Sequence, residues 1–274
     1  FYPKYFQDTG KKLRILDLSY KKIILTCSFI NIINIFMSHL ILVRHGQSEW
    51  NLQKKFTGWV DVDLTPEGKL EACKAGEVIK NLNISIDYFY SSFQIRSINT
   101  LKLIQNTLRS KIQPEKAWQL NERHYGALTG LNKDEMKKKL GEKKIHEFRR
   151  SWDSRPDPLN RNNPYHPINM QVYKSLKKEE IPDTESLKDT FERVVNYYKK
   201  NIEEKIKKNK NVLISAHGNS IRSLCKFLFN LNEKQITKLE IPTGNPLMIE
   251  FDKNRKILKC NYLDQNRAQD LIIF

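Results

Sequence analysis

Two short apolar runs set the frame of this chain. His39 to Val43 leads straight into Arg44-His45-Gly46, and Asn211-Val212-Leu213-Ile214-Ser215-Ala216 leads into His217-Gly218-Asn219-Ser220. Unbroken runs of this length, rich in branched side chains, read as strands buried on both faces of a sheet. Each delivers a histidine to its C-terminal end, the edge where open α/β sheets hold their ligands. Ile86 to Ser91 reads as a further strand and Pro246 to Phe251 as the last one.

Between the strands the apolar spacing turns helical. Thr65-Pro66 is a helix start, with Thr as cap and Pro in the first turn, and Leu70, Cys73, Ile79 and Leu82 form the expected stripe. Ile98, Leu101, Ile104 and Leu108 mark a second helix, with Arg96 just ahead of it, and Lys139 to Arg150 a third. Ser186-Leu187-Lys188-Asp189 has the form of a capping box for a long helix burying Leu187, Phe191, Val194, Tyr198 and Ile202. Gly218-Asn219-Ser220 opens one burying Ile221, Leu224, Cys225 and Leu228. Residues 154–181 are rich in Pro and Asn and lack periodicity; a connection of that length inside a domain is read as a flap over the site.

Composition sharpens this reading at three points. At 274 residues and 39% hydrophobic content the chain is globular, and residues 37–274 read as one catalytic α/β domain without a dividing linker. The formal charge of +17 is spread over dispersed lysines with no nucleic-acid-binding motif, so it reads as a solvated surface and implies neither a nucleic-acid nor a membrane partner. The four cysteines are far apart and the six histidines are not clustered, which argues against zinc and disulfides and for a reducing compartment. Residues 1–36, with an apolar stretch from Ile23 to Phe36, stand outside the core. They are read as a mis-called start or an extension without function in preference to a targeting segment.

The chemistry lies in the paired His-Gly units. A neutral imidazole is a good nucleophile toward phosphorus, and Arg44 can grip phosphate oxygens in a bidentate fork. Gly46 and Gly218 let the backbone approach an anion, and the helix after His217 adds a partly positive end. Two satisfied histidines at strand ends are the plain alternative.

Five longer blocks extend the pattern: LVRHGQSEWN (Leu42 to Asn51), FTGWVDVDLTPEG (Phe56 to Gly68), LNERHYGALTGLNK (Leu120 to Lys133), PDTESLKDT (Pro182 to Thr190) and AHGNSIR (Ala216 to Arg222). Two shorter ones are FRRSWD (Phe148 to Asp153) and IPTGNPL (Ile241 to Leu247). In them the chain resembles the histidine phosphatase superfamily, and within it the cofactor-dependent phosphoglycerate mutases. The likeness runs from His39 to Leu263, and Met37 stands where a member would begin. It implies a three-layer α/β/α fold with a mostly parallel central sheet. It also implies interconversion of 3-phosphoglycerate and 2-phosphoglycerate in the cytoplasm, through a phosphorylated His45 and 2,3-bisphosphoglycerate, without a metal.

By the same resemblance His45 is the nucleophile, Glu122 the proton-handling carboxylate, and His217, Arg44 and Arg96 the groups around the transferring phosphoryl. Ser48, Asn51, Thr57, Gly58, Arg123, Tyr125, Lys133, Arg149, Arg150, Gly218 and Asn219 are the expected substrate contacts. The resemblance further implies a homodimer or homotetramer. Bisphosphoglycerate mutase and a small-phosphoester histidine phosphatase are the competing activities; Ser48 favours the monophosphoglycerate mutase, because the bisphosphoglycerate branch tends to carry Gly there.

Overall fold

β1 (Ser38–Arg44), β2 (Tyr88–Ser91), β3 (Glu115–Lys116), β4 (Val212–Ala216), β5 (Leu247–Phe251) and β6 (Ile257–Tyr262) form one sheet in the spatial order β3-β2-β4-β1-β5-β6. This computed structural model describes residues 37–268, so the extension 1–36 and residues 269–274 lie outside the described residues. β4 inserts between the two earlier strands β1 and β2 and runs parallel to both, with Arg44 opposite Ala216 and Ser91 opposite Ser215. β3 is parallel to β2, whereas β5 and β6 continue the sheet antiparallel.

The helices are α1 (Glu49–Leu52), α2 (Pro66–Lys80), α3 (Ile95–Leu108), α4 (Lys133–Leu140), α5 (Glu142–Arg150), α6 (Leu187–Tyr197), α7 (Glu203–Lys207), α8 (Gly218–Leu228) and α9 (Glu233–Lys238). Successive strand residues point to opposite faces. Leu40, Leu42, Val212 and Ile214 therefore pack against Leu187, Val194 and Leu224 from α6 and α8. Ile41, Val43 and Leu213 pack against Ala75, Ile79, Leu101 and Ile104 from α2 and α3 on the other side. Apolar demand on both faces explains why β1 and β4 read as unbroken runs. The expected three layers and mostly parallel sheet are present.

Several elements differ from expectation. On α2 the buried face is Ala72, Ala75, Gly76 and Ile79, while Leu70 is 65% exposed. Small residues let α2 lie close against α3, and an apolar stripe does not report that. The helix predicted over Lys139 to Arg150 is broken at Gly141, whose φ of 85° suits glycine. The long helix after Ser186 passes through a π-turn at Tyr198–Ile202 before α7, and Phe191 lies edge-on to Trp152 and is only partly buried. β6 follows β5 as an edge strand; its exposed Leu258 and Lys259 hid it from a search for apolar runs.

Residues 154–181 fold into three 3₁₀ turns. Tyr173 and Ile181 pack on Trp59, and the Tyr173 hydroxyl donates to the Trp59 carbonyl at 2.6 Å. The segment thus braces the Phe56-Thr57-Gly58-Trp59 loop from behind, and none of its residues lines the cavity beside His45.

Candidate active site

The β1–β4 register brings the two histidines together. His45 N–H donates to the Ala216 carbonyl at 3.0 Å, and the imidazoles of His45 and His217 stand with centroids 5.0 Å apart. His45 Nδ1 lies 2.7 Å from the Gly46 carbonyl oxygen, an acceptor, so Nδ1 carries the proton. Nε2 is left with its lone pair, and Arg96 Nε donates to it at 3.3 Å. Burial, then the Arg96 and Arg44 guanidiniums, hold His45 well below its usual range. Burial, Arg96 and His45 do the same for His217, whose Nε2 lies 2.8 Å from Ser92 Oγ. Both rings are neutral at physiological pH.

Gly46 serves a different purpose from the one expected. Its N–H donates to Thr100 Oγ1 at 3.1 Å and so is not offered to an anion. A Cβ at Gly46 would sit 2.0 Å from the Gly68 carbonyl oxygen; the missing side chain makes room for the first turn of α2 against the His45 loop. Gly218 does border the cavity, at the start of α8.

Arg44 is aimed by a bond from Nη1 to the Ile241 carbonyl at 2.8 Å. Arg96 is fully buried, and its Nη atoms donate to the carbonyls of Val60 and Gly58 at 2.8 and 2.9 Å. It therefore ties the Gly58 loop to the nucleophile. Glu122 Oε1 accepts from Arg123 N–H at 2.7 Å and from Asn219 Nδ2 at 2.8 Å. Asn219 Nδ2 also donates to the Tyr125 hydroxyl at 3.1 Å. Burial alone would raise the Tyr125 phenol, yet Arg123, Lys133 and Arg149 together hold it below its ordinary value. Burial, with Arg149 and Arg44 adding to it, lowers Lys133.

Asn51, Thr57, Gly58, Lys133, Arg149 and Arg150 all line the same cavity as His45, Glu122 and Asn219. Three predicted residues stand behind that wall. His217 sits beside His45, and Arg123 lies beneath Tyr125, 4.7 Å from its ring, donating to the carbonyls of Phe148 and Arg149. Ser48 is buried as the cap of α1, exchanging bonds with Asn51 at 3.3 and 3.2 Å. Its expected role as a substrate contact gives way to fixing Asn51.

The cavity also holds Arg222, Glu240 and Ile241, which the sequence reading passed over. Arg222 was within reach: it follows Asn219 by three positions on α8 and donates to Asn219 Oδ1 at 3.0 Å. Burial, then Arg150 and Arg123, pull it down to about 9. Behind the wall, Arg193 pairs with Glu185 at 2.6 Å and donates to the carbonyls of Gln119, Asn121 and Glu122. Nothing local in the sequence marks that brace.

The family description "Histidine phosphatase superfamily (branch 1)" matches residues 40–164 and 163–262. A 2,3-bisphosphoglycerate-dependent phosphoglycerate mutase of Pelagibacter ubique (strain HTCC1062) is 73% identical over 238 residues, 87% of this chain and 100% of that protein. The chain belongs to the 2,3-bisphosphoglycerate-dependent phosphoglycerate mutases of the histidine phosphatase superfamily. A second mutase of that name, from Hamiltonella defensa, is 46% identical over 82% of this chain and 90% of its own length. Among solved structures, a phosphoglycerate mutase from Bacillus anthracis superposes with a TM-score of 0.57 at 22% identity, covering 80% of this chain and 90% of that one. A mycobacterial glucosyl-3-phosphoglycerate phosphatase gives 0.58 at 20%, covering 77% and 92%. At these identities the two likenesses show the fold alone.

Proposed function

We propose that this chain interconverts 3-phosphoglycerate and 2-phosphoglycerate, as an isomerase dependent on 2,3-bisphosphoglycerate, with His45 as phosphoryl carrier. The observation that carries this reading is the His45 imidazole, neutral, with its proton on Nδ1 and the unprotonated Nε2 held by a long 3.3 Å bond from Arg96 Nε. Close relatives bearing the mutase name support it.

The bisphosphate, when bound, supplies the phosphoryl group that primes His45. The residues present suit such a polyanion: Arg44, Arg96, Lys133, Arg149 and Arg150 converge on one cavity. Arg44 Nε and Arg222 Nε, on residues that line the cavity, are buried nitrogens without a hydrogen-bond partner among the described residues. Among those residues no group of three or more His, Cys, Asp or Glu gathers to hold a metal ion.

Phosphoryl transfer depends on alignment and charge neutralisation. Nε2 of His45 bonds phosphorus as the bond to the departing oxygen breaks. Arg44, Arg96 and the start of α8 stabilise charge on the equatorial oxygens, with His217 packed beside the nucleophile. Glu122, steadied by Asn219 and the Arg123 N–H, gives a proton to the departing oxygen and takes one from the hydroxyl that later receives the group. Tyr125, Lys133, Arg149 and Arg150 hold the carboxylate and the other oxygens of the substrate. The enzyme works in the cytoplasm as a homodimer or homotetramer, like other glycolytic mutases of its family.

The test is conversion of 3-phosphoglycerate to 2-phosphoglycerate by the full chain, with and without catalytic 2,3-bisphosphoglycerate, in EDTA. Activity that needs the bisphosphate, survives chelation and disappears in His45→Ala is expected. Phosphate release without isomerisation would instead make the protein a phosphatase.

A further inference from the structure

The cavity wall carries six cations, Arg44, Arg96, Lys133, Arg149, Arg150 and Arg222, and two carboxylates, Glu122 and Glu240. Glu122 has a proton to handle. Glu240 has none, and it forms an ion pair with Arg150. The pairing is built into the loop between α9 and β5. The Glu240 carbonyl accepts the Tyr262 hydroxyl at 3.0 Å, and the neighbouring Ile241 carbonyl accepts Arg44 Nη1 at 2.8 Å. The Glu240 side chain is 52% exposed and that of Arg150 only 17%, so the carboxylate lies over the guanidinium from the open side. A ligand reaching Arg150 from the cavity meets a cation that is already neutralised.

We propose that Glu240 is an internal competitor for Arg150, setting how tightly the enzyme holds the anionic group of its substrate that lies away from the transferring phosphoryl. This rests on the mutase reading given above. The substrate's carboxylate or phosphate takes Arg150 only by displacing Glu240. Every ground-state complex that uses Arg150 is weakened alike, and product leaves more readily for it. A contribution shared by ground and transition states appears in binding and KM and leaves the chemical step alone. The displaced carboxylate is half-exposed and finds water, so the penalty is modest. Glu240 is accordingly a specificity-determining residue, which favours ligands whose second anionic group is strong enough to displace it.

The experiment measures Kd for 3-phosphoglycerate by calorimetry, and KM and kcat for its isomerisation, on full-length wild type, Glu240→Gln, Arg150→Gln and the double variant. Glu240→Gln should tighten Kd and lower KM about three- to tenfold without a proportional rise in kcat. In the Arg150→Gln background the same substitution should change neither constant. Unchanged or weaker binding in Glu240→Gln overturns the proposal. So does equal tightening in both backgrounds, which would mean a general field effect and no competition for Arg150. A wild type without mutase activity would overturn the function and this inference together; an active wild type with an unaltered Glu240→Gln overturns the inference only.

Discussion

The guanidinium Nε of Arg96 lies 3.3 Å from Nε2 of His45, while the Nη atoms of the same side chain hold the carbonyls of Gly58 and Val60. One buried cation therefore orients the nucleophile and the cavity-lining Gly58 loop at once. It also helps keep His45 unprotonated. Arg96→Gln should reduce kcat by about 10²–10³-fold, the range for loss of a charge-stabilising donor. Since Arg96 lowers the His45 pKa, its removal lets the imidazole protonate at higher pH. The acid limb of the kcat/KM profile should therefore move upward, and a profile unmoved on the acid side would contradict the arrangement.

Gly46 offers a steric test. Gly46→Ala would place a methyl 2.0 Å from a backbone oxygen of α2, where no rotamer change can relieve it. Backbone has to shift on one side or the other, so a loss of about 1–3 kcal/mol or more is expected, read by urea unfolding. Activity should fall further than stability explains, because the residue displaced is next to His45.

How much of this was legible from sequence depended on the type of signal. The strand-His-Gly units stood out because β1 and β4 are buried on both faces and each ends in a polar residue that burial does not explain. The capped starts at Thr65-Pro66 and Ser186 were legible because capping is local; Thr65 and Ser186 accept the third-position N–H groups of their helices. The face of α2 was misread, since close helix contact favours Ala and Gly where the eye looks for Leu. Ser48 and Gly46 were assigned to the ligand, although the structure assigns them to backbone geometry around it. Glu240 was missed because a single carboxylate near the chain end has no spacing to betray it.

The brace behind Glu122 can be dissected by mutation. Arg193 and Glu185 form a buried bidentate pair that fixes three carbonyls of the Gln119–Glu122 stretch and the His124 N–H. Arg193→Met strands a buried carboxylate and should cost about 3–5 kcal/mol. Adding Glu185→Leu should restore part of that stability without restoring kcat, since the Glu122 loop stays untethered. Recovery of both together would refute a positioning role.

His124 allows a pH prediction with a definite sign. Burial, and then His166, lowers its imidazole from 6.5 to about 3. Below 6.5 the unfolded chain binds a proton there and the folded chain does not. The stability it contributes is thus complete above about pH 6.5 and is lost as the pH falls toward 3, by about 1.4 kcal/mol per unit. His45 and His217, lowered in the same direction, steepen the same acid limb. His124→Gln should flatten the decline between pH 7 and pH 5 in urea midpoints, whatever its effect at pH 7.

The insertion of β4 between β1 and β2 has a consequence for the order of events during synthesis. Arg44 and Ala216 pair although they stand 172 positions apart in the chain (216 − 44), and the strands they end are neighbours only once the later one arrives. Closing so large a loop is slow relative to local pairing. A nascent chain that has emerged only through β3 has β1 and β2 without the strand that joins them, and a lone His45 with no companion imidazole. The paired imidazoles therefore exist only once β4 has joined β1 and β2, with β5 and β6 still to be added at the edge.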